Sequence, residues 1–208
     1  MTLEPSADDP ISTAARLREV ATELFAERGY AGTSLAEIAS RLGIRTPSLY
    51  NHTRSKDALF LDLFTEATAA WSDISRRALD GEGTSAERLE RHMQASLGFA
   101  TERPHIVGLC RVAVTQVGNE LADDVEELIE RQRIDYRQRL VSFFDEARAN
   151  GEVVDRPTEL LVSAWWVFLD GLLTQQIFAP PALRAEIEKH HGALWSLFWR
   201  GIAAEPSP

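Results

Sequence analysis

A single cysteine, Cys110, stands among the 208 residues. One thiol closes no intramolecular disulfide and builds no multi-cysteine metal cage, as expected in a reducing compartment. The opening MTLEPSADDP has neither a basic n-region nor an apolar core, so no secretory signal is expected and the localisation reads as cytoplasmic. Long apolar runs are also scarce. The most apolar stretch, Leu160 to Leu173, contains Asp170 and falls short of the roughly 20 residues of a membrane span, so no membrane partner is expected. There is no glycine-rich phosphate loop after a strand, no His-Glu zinc signature and no nucleophile elbow, so neither catalysis nor a cofactor is expected. The acid pairs Asp123-Asp124 and Glu126-Glu127 read as a solvated helix face. His190 and His191 are adjacent, which on a helix turns their side chains about 100° apart and suits a shared metal poorly. No metal site is expected.

What is present is ordinary for a globular chain: 44% hydrophobic and 26% charged residues. A chain of this length buries about 70% of the surface its unfolded form exposes, enough for a core without staples. The net charge is −10, which taken alone argues against a polyanionic partner. The charge is uneven, however. From Pro10 to Asp57 seven basic residues face five acidic ones, a local +2 that leaves −12 on the rest. An acidic body with a mildly basic head can still dock on DNA through the head.

Almost every segment carries the helical period, and no convincing alternating strand, internal repeat or low-complexity tract interrupts it. Leu17, Val20, Ala21, Leu24 and Phe25 form one stripe on a first helix that ends at Arg28-Gly29. Ser34 with Glu37 three residues later is a capping-box pattern, opening a short second helix that stops at Gly43. Thr46-Pro47 reads as an N-cap followed by proline at the first helical position, opening a third short helix through about His52. Two short helices joined at Gly43-Ile44-Arg45 have helix-turn-helix spacing. Six further helices are expected: from Ser55 to about Gly81, Ser85 to Glu102, His105 to Val117, Leu121 to about Asn150, Pro157 to about Pro180, and Ala182 to about Ala203. The fold class is therefore all-α, about nine helices.

The stretch Thr33 to Leu59, TSLAEIASRLGIRTPSLYNHTRSKDAL, resembles the DNA-binding domain of the tetracycline-repressor (TetR) family of bacterial transcription regulators. The matching positions are Glu27-Arg28-Gly29-Tyr30, Thr33-Ser34, Glu37-Ile38-Ala39, Leu42-Gly43-Ile44, Leu49-Tyr50-Asn51-His52 and Ser55-Lys56-Asp57-Ala58-Leu59. Two departures are visible: Thr53 stands where the family commonly has an aromatic residue, and Pro47 where many members have glycine. The resemblance implies a three-helix head over 1–54 and a helical ligand-binding and dimerisation body over 55–208. A helix opening at Thr46 would present its first turn to base edges in the major groove. Arg45 can pair bidentately with guanine and Asn51 with adenine, while Pro47 suits a thymine methyl. Thr33, Ser48, Tyr50 and His52 suit phosphate oxygens, and Lys56 adds charge to a helix N-terminus.

For the body the residues say less. A helix as evenly apolar as Leu160 to Leu173 must be covered on most sides. The resemblance implies that the last two helices make a four-helix bundle with a second subunit, and Trp166, Leu169, Leu173, Trp195, Phe198 and Trp199 are its candidates. Phe64, Trp71, Met93, Leu97, Phe99, Cys110, Val114, Phe143 and Trp165 are candidates for an effector cavity, with Gln94, Thr115, Gln116 and Gln175 as orienting groups. Each of these apolar residues also reads as plain core, and Cys110 reads as buried packing rather than a sensor thiol. The function read from all this is a homodimeric repressor, released from a near-palindromic double-stranded operator by a small organic effector that is largely apolar. The alternative is a small-molecule-binding or protein-interaction dimer with a vestigial DNA-binding head.

Overall fold

The computed structural model describes residues 10–116 and 119–204, and the side chains of 10–12, 114–116, 119, 120 and 122 lie outside the described set. Among the described residues there are nine helices and no strand, with one isolated bridge between Val153 and Ala203. In chain order they are α1 (Pro10–Arg28), α2 (Leu35–Leu42), α3 (Thr46–Leu49), α4 (Lys56–Leu79), α5 (Ser85–Glu102), α6 (Pro104–Gln116), α7 (Asn119–Ala149), α8 (Thr158–Phe178) and α9 (Pro181–Ile202). They divide into two compact units. The first comprises the residues up to Thr68 together with His105–Leu128; the second comprises Ala69–Pro104 and the residues from Ile129 onward.

In the first unit, Leu17, Ala21, Leu24 and Phe25 of α1 are buried as their spacing predicts, against Ile38, Ala39 and Leu42 of α2 and Leu49 of α3. Phe25, Phe60 and Phe64 continue this core as an aromatic ladder, with centroids 5.1 Å and 6.4 Å apart along it. Helix α6 crosses α1 closely: a Cβ on Gly108 would stand 2.8 Å from the Ala26 Cβ, so only glycine allows the approach.

The turns follow local chemistry, with two corrections to the sequence reading. Ser34 caps α2 by accepting from the Glu37 N–H at 3.2 Å, but only this half of the expected capping box forms. The Glu37 carboxylate is drawn to Arg28 instead. At the other end Gly43 takes φ 73°, and Ile44 N–H reaches the Ala39 carbonyl at 3.0 Å, a closure that favours glycine. Helix α3 begins one residue earlier than expected. Arg45 is its N-cap, Thr46 its first residue and Pro47 its second. The missing proline N–H costs nothing there, because the first four N–H groups of a helix lack intrahelical partners.

The second unit has one core. Leu89, Met93 and Leu97 of α5, Leu140, Phe143 and Phe144 of α7, and Leu161, Trp165, Leu169 and Leu172 of α8 are buried in it. Thr84 and Glu87 make a complete capping box at the start of α5. Helix α8 as a whole is 21 residues and, by length and composition, long and apolar enough to cross a membrane, which corrects the reading from Leu160–Leu173 alone. Leu161, Val162, Trp165, Leu169 and Leu172 pack inside the unit, while Leu160 and Val167 stay exposed.

Candidate nucleic-acid interface

Helix α3 is held from behind by one buried residue, Leu49, while Arg45, Pro47, Ser48, Tyr50, Asn51 and His52 are exposed. Thr46 is half-buried. Beyond Leu49 the chain tightens: Asn51 N–H reaches the Ser48 carbonyl at 3.3 Å and His52 N–H the Leu49 carbonyl at 2.9 Å. These three-residue closures carry the helical curl through His52, so the polar residues stay in one short surface segment. Tyr50 is 57% exposed, unusual for a ring of its size and useful on a surface that meets a partner.

Two of the expected contacts point inward. Thr33 is only 2% exposed, and its hydroxyl donates to the carbonyls of Leu24 at 3.2 Å and Gly29 at 2.9 Å. It locks the turn between α1 and α2, so its side chain is unavailable to a phosphate. Lys56 donates from Nζ to the Tyr30 carbonyl at 3.1 Å and sits 4.1 Å above the Tyr30 ring. The phenol of Tyr30 in turn donates to Asp57. Lys56 therefore fastens the start of α4 to the end of α1, and its charge is partly spent there. Thr53 occupies the aromatic position without loosening it: the side chain is buried and donates to the Ser55 carbonyl at 2.9 Å.

The charges sort in the same way. Arg18 pairs with Glu66 at 2.6 Å, Arg28 with Glu37, and Arg41 with Glu27 at 3.8 Å. Among the described residues Arg45 and Arg54 form no ion pair. These two arginines flank the exposed polar residues of α3 in sequence. Summed charge in sequence could not separate the two kinds of arginine.

The candidate cavity residues do not form one group. Phe64 belongs to the aromatic ladder of the first unit. Cys110, half-buried in α6 of the same unit, has a thiol that burial pushes up to about 12, so it is neutral and unreactive at physiological pH. The side chains of Val114, Thr115 and Gln116 lie outside the described residues. In the second unit the structure brings Met93, Leu97, Phe143 and Trp165 into the single core, with Trp71 packed against it. Phe99 lies instead on an open α4–α5 groove of about 610 Å³, beside Gln94 and under the Arg103 guanidinium at 5.5 Å. Gln175 is exposed, while its neighbour Gln176 is buried and donates to Thr101 at 2.9 Å and Glu188 at 3.0 Å.

Three polar side chains in this core were not expected: Ser75, His92 and Ser96. The signal was in the α5 stripe. Positions 89, 92, 93, 96, 97 and 100 share one helix face, and two of them carry His92 and Ser96 among apolar neighbours.

The candidate dimer residues divide by burial. Leu169 and Trp195 are buried within the chain's own core at 3% and 7% exposure, and Trp166, Leu173, Phe198 and Trp199 are half-buried against it. Leu160, Val167 and Phe178 of α8 and Leu183 and Leu197 of α9 are the exposed large apolar residues, at 56%, 73%, 54%, 43% and 69%. The aromatics cluster inward because they are the bulkiest groups available to fill the core.

A family model described as bacterial regulatory proteins, tetR family, matches residues 17–63, the segment from α1 through the first part of α4. The transcriptional repressor KstR2 of Rhodococcus jostii is 31% identical over 152 residues, covering 68% of this chain and 66% of that one. The chain belongs to the tetR family. Nucleoid occlusion factor SlmA of Vibrio vulnificus is 29% identical over 125 residues, covering 60% of this chain. The chain spans 64% of SlmA's length in that match, just under two thirds. Among solved structures, a transcriptional regulator from Saccharomonospora viridis in complex with choline superposes with a TM-score of 0.75 at 19% identity, covering 94% of this chain and all of that one. At that identity the likeness is one of fold. In this tetR-family chain α2 and α3 are the helix-turn-helix, and the helical fold expected from the sequence is the one observed.

Proposed function

We propose that the protein is a homodimeric transcriptional regulator that represses by binding double-stranded operator DNA and lets go when a small organic effector binds its helical body. The observation that carries the reading is the exposed segment Arg45 to His52, presented by a helix-turn-helix whose neighbouring Thr33, Thr53 and Lys56 are bonded inward. Arg45 and Asn51 have the donor and acceptor geometry for base edges, and Ser48, Tyr50 and His52 suit phosphates. Two subunits would place two such segments on half-sites about one helical turn apart, on a near-palindromic operator. Footprinting the DNA around its own gene tests this: two protected half-sites are expected, and the absence of any protected site contradicts it. Replacing Arg45 by Ala is expected to relax discrimination at one or two base pairs, worth about 1–3 kcal/mol each, whereas Tyr50→Ala weakens specific and unrelated duplexes alike. Equal effects of both on both duplexes, measured by fluorescence anisotropy, would assign the roles differently.

The dimer is proposed through α8 and α9. Leu160 and Val167 lie seven residues apart and share one α8 face, and Leu183 and Leu197 lie fourteen apart and share one α9 face, so each helix offers an apolar stripe. An obligate interface buries about 2,000 Å² or more, largely apolar. Sedimentation at micromolar concentration is expected to give a dimer, and Val167→Glu with Leu197→Glu a monomer; a monomeric native protein contradicts the assignment. The effector is proposed to be organic because the second unit offers aromatic and aliphatic lining. It must bind the DNA-incompetent state more tightly, since equal affinity for both states shifts nothing. Helical regulators of this shape do accommodate small organic molecules, as the Saccharomonospora viridis protein does choline.

A further inference from the structure

On α5, two fully buried polar atoms of the second unit have no protein partner. His92 and Ser96 lie one turn apart on α5, both with 0% exposure. His92 Nε2 shares a hydrogen bond with Ser75 Oγ at 3.0 Å, but His92 Nδ1 and Ser96 Oγ are bonded to nothing in the protein. Buried polar groups are nearly always satisfied, so two on one helix face call for a third party. The surroundings say what kind. The His92 ring is walled by Trp71, Tyr136 and Trp165, with centroids at 6.2, 5.7 and 5.5 Å. Tyr136 and Trp165 are themselves tied together, Trp165 Nε1 donating to the Tyr136 hydroxyl at 3.0 Å. That bond orients two of the three wall rings. Trp71 is only half-buried, which gives the cluster an edge toward solvent.

From this we infer that His92 and Ser96 are the polar anchor of a site for a neutral ring compound bearing a hydroxyl group. A hydroxyl donates one hydrogen bond and accepts another, which matches one imidazole nitrogen and one serine hydroxyl. The rings of Trp71, Tyr136 and Trp165 give the flat apolar walls that such a compound needs. No Asp, Glu, Lys or Arg is buried among the described residues, so nothing in the core compensates a charged ligand. The imidazole itself stays neutral, because burial pushes His92 down to about 3. The inference rests on the proposed effector site and names the chemistry of what fills it.

The test uses the full-length protein, tryptophan fluorescence and four probes: phenol, toluene, benzoate and choline chloride. Saturable quenching by phenol is expected, at least tenfold tighter than by toluene, with benzoate and choline weaker than either. Ser96→Ala and His92→Leu are each expected to weaken phenol binding about tenfold and to leave toluene unchanged. Ser96→Ala should also raise the melting temperature of the free protein, because it removes a buried unpartnered hydroxyl and creates little void. Toluene binding as tightly as phenol, choline binding more tightly, no saturable phenol binding, or both variants binding phenol normally would each overturn the assignment. Operator affinity, read in parallel, separates this inference from the regulatory reading. Ser96-dependent phenol binding that leaves operator affinity unchanged keeps the site and removes phenol-like effectors from the regulation. A compound that releases DNA equally well from Ser96→Ala keeps the regulation and overturns the site.

Discussion

Acidification from pH 7 to pH 4 is expected to cost the native sequence roughly 3 kcal/mol more folding stability than it costs a His92→Leu variant. Desolvation lowers the His92 pKa from 6.5 to about 3, since the ring is enclosed by Trp71, Tyr136 and Trp165 with no carboxylate among them to hold a proton. In the unfolded chain the same ring takes a proton near pH 6.5. The folded state is therefore at no disadvantage above pH 6.5. Below it the unfolded chain binds the proton first, and stability drains at about 1.4 kcal/mol per pH unit until the folded pKa is reached. Carboxylates add a background to any acid curve: Glu146, for instance, has its pKa lowered by the hydrogen bond and charge of Arg88, so its contribution is present above the usual carboxylate range and fades below it. The variant carries that background unchanged. The measurement is urea unfolding of both proteins from pH 7.5 to pH 4. Parallel curves would mean that His92 is not enclosed as described.

Trp165→Ala is expected to cost about 3–5 kcal/mol, a large share of the stability of a domain this size. The ring has 0% exposure and stands at the meeting point of α5, α8 and α9, with His92 at 5.5 Å, Phe198 at 5.6 Å, Phe168 at 6.0 Å and Trp195 at 6.5 Å. Truncation loses the transfer energy of the indole and leaves a void that rings fixed on three helices cannot fill. Trp165→Phe separates packing from hydrogen bonding. It keeps most of the apolar area but strips the Tyr136 hydroxyl of its donor, and about 1–2 kcal/mol is expected. Denaturant midpoints with an unchanged slope measure both. A cost below about 1 kcal/mol for the alanine variant would contradict the packing described.

The helical fold was legible because its signals are local. Ser34, Gly43, Thr84, Pro104, Gly151 and the Pro180-Pro181 pair mark helix boundaries, and each acts through a neighbour within a few residues. The exposed α3 segment was legible for the same reason. Exposed polar residues between Gly43 and Ser55 belong to one short stretch of chain, and Leu49 is the apolar residue of α3 that turns away from them. The errors came where a side chain could choose between distant partners. Glu37 left its cap for Arg28, Thr33 turned to the Leu24 and Gly29 carbonyls, and Lys56 reached the Tyr30 carbonyl. No spacing rule fixes those choices. The α8 and α9 candidates divided in another way: packing drew Leu169 and Trp195 into the chain's own core and left Leu160, Val167 and Leu197 outside. His92 and Ser96 stood in the α5 stripe all along, as polar letters at apolar positions.

The salt dependence of binding to a duplex taken from around its own gene tests the central claim most directly. A regulator that docks its head on phosphates, with Arg54 among the cations that neutralise them, should lose affinity between 50 and 200 mM salt, with a log–log slope of about −0.9 per phosphate neutralised. It should also prefer that duplex over an unrelated one by about 10³-fold or more at physiological salt. Equal affinity for the two duplexes, or binding that salt leaves unchanged, would contradict the account.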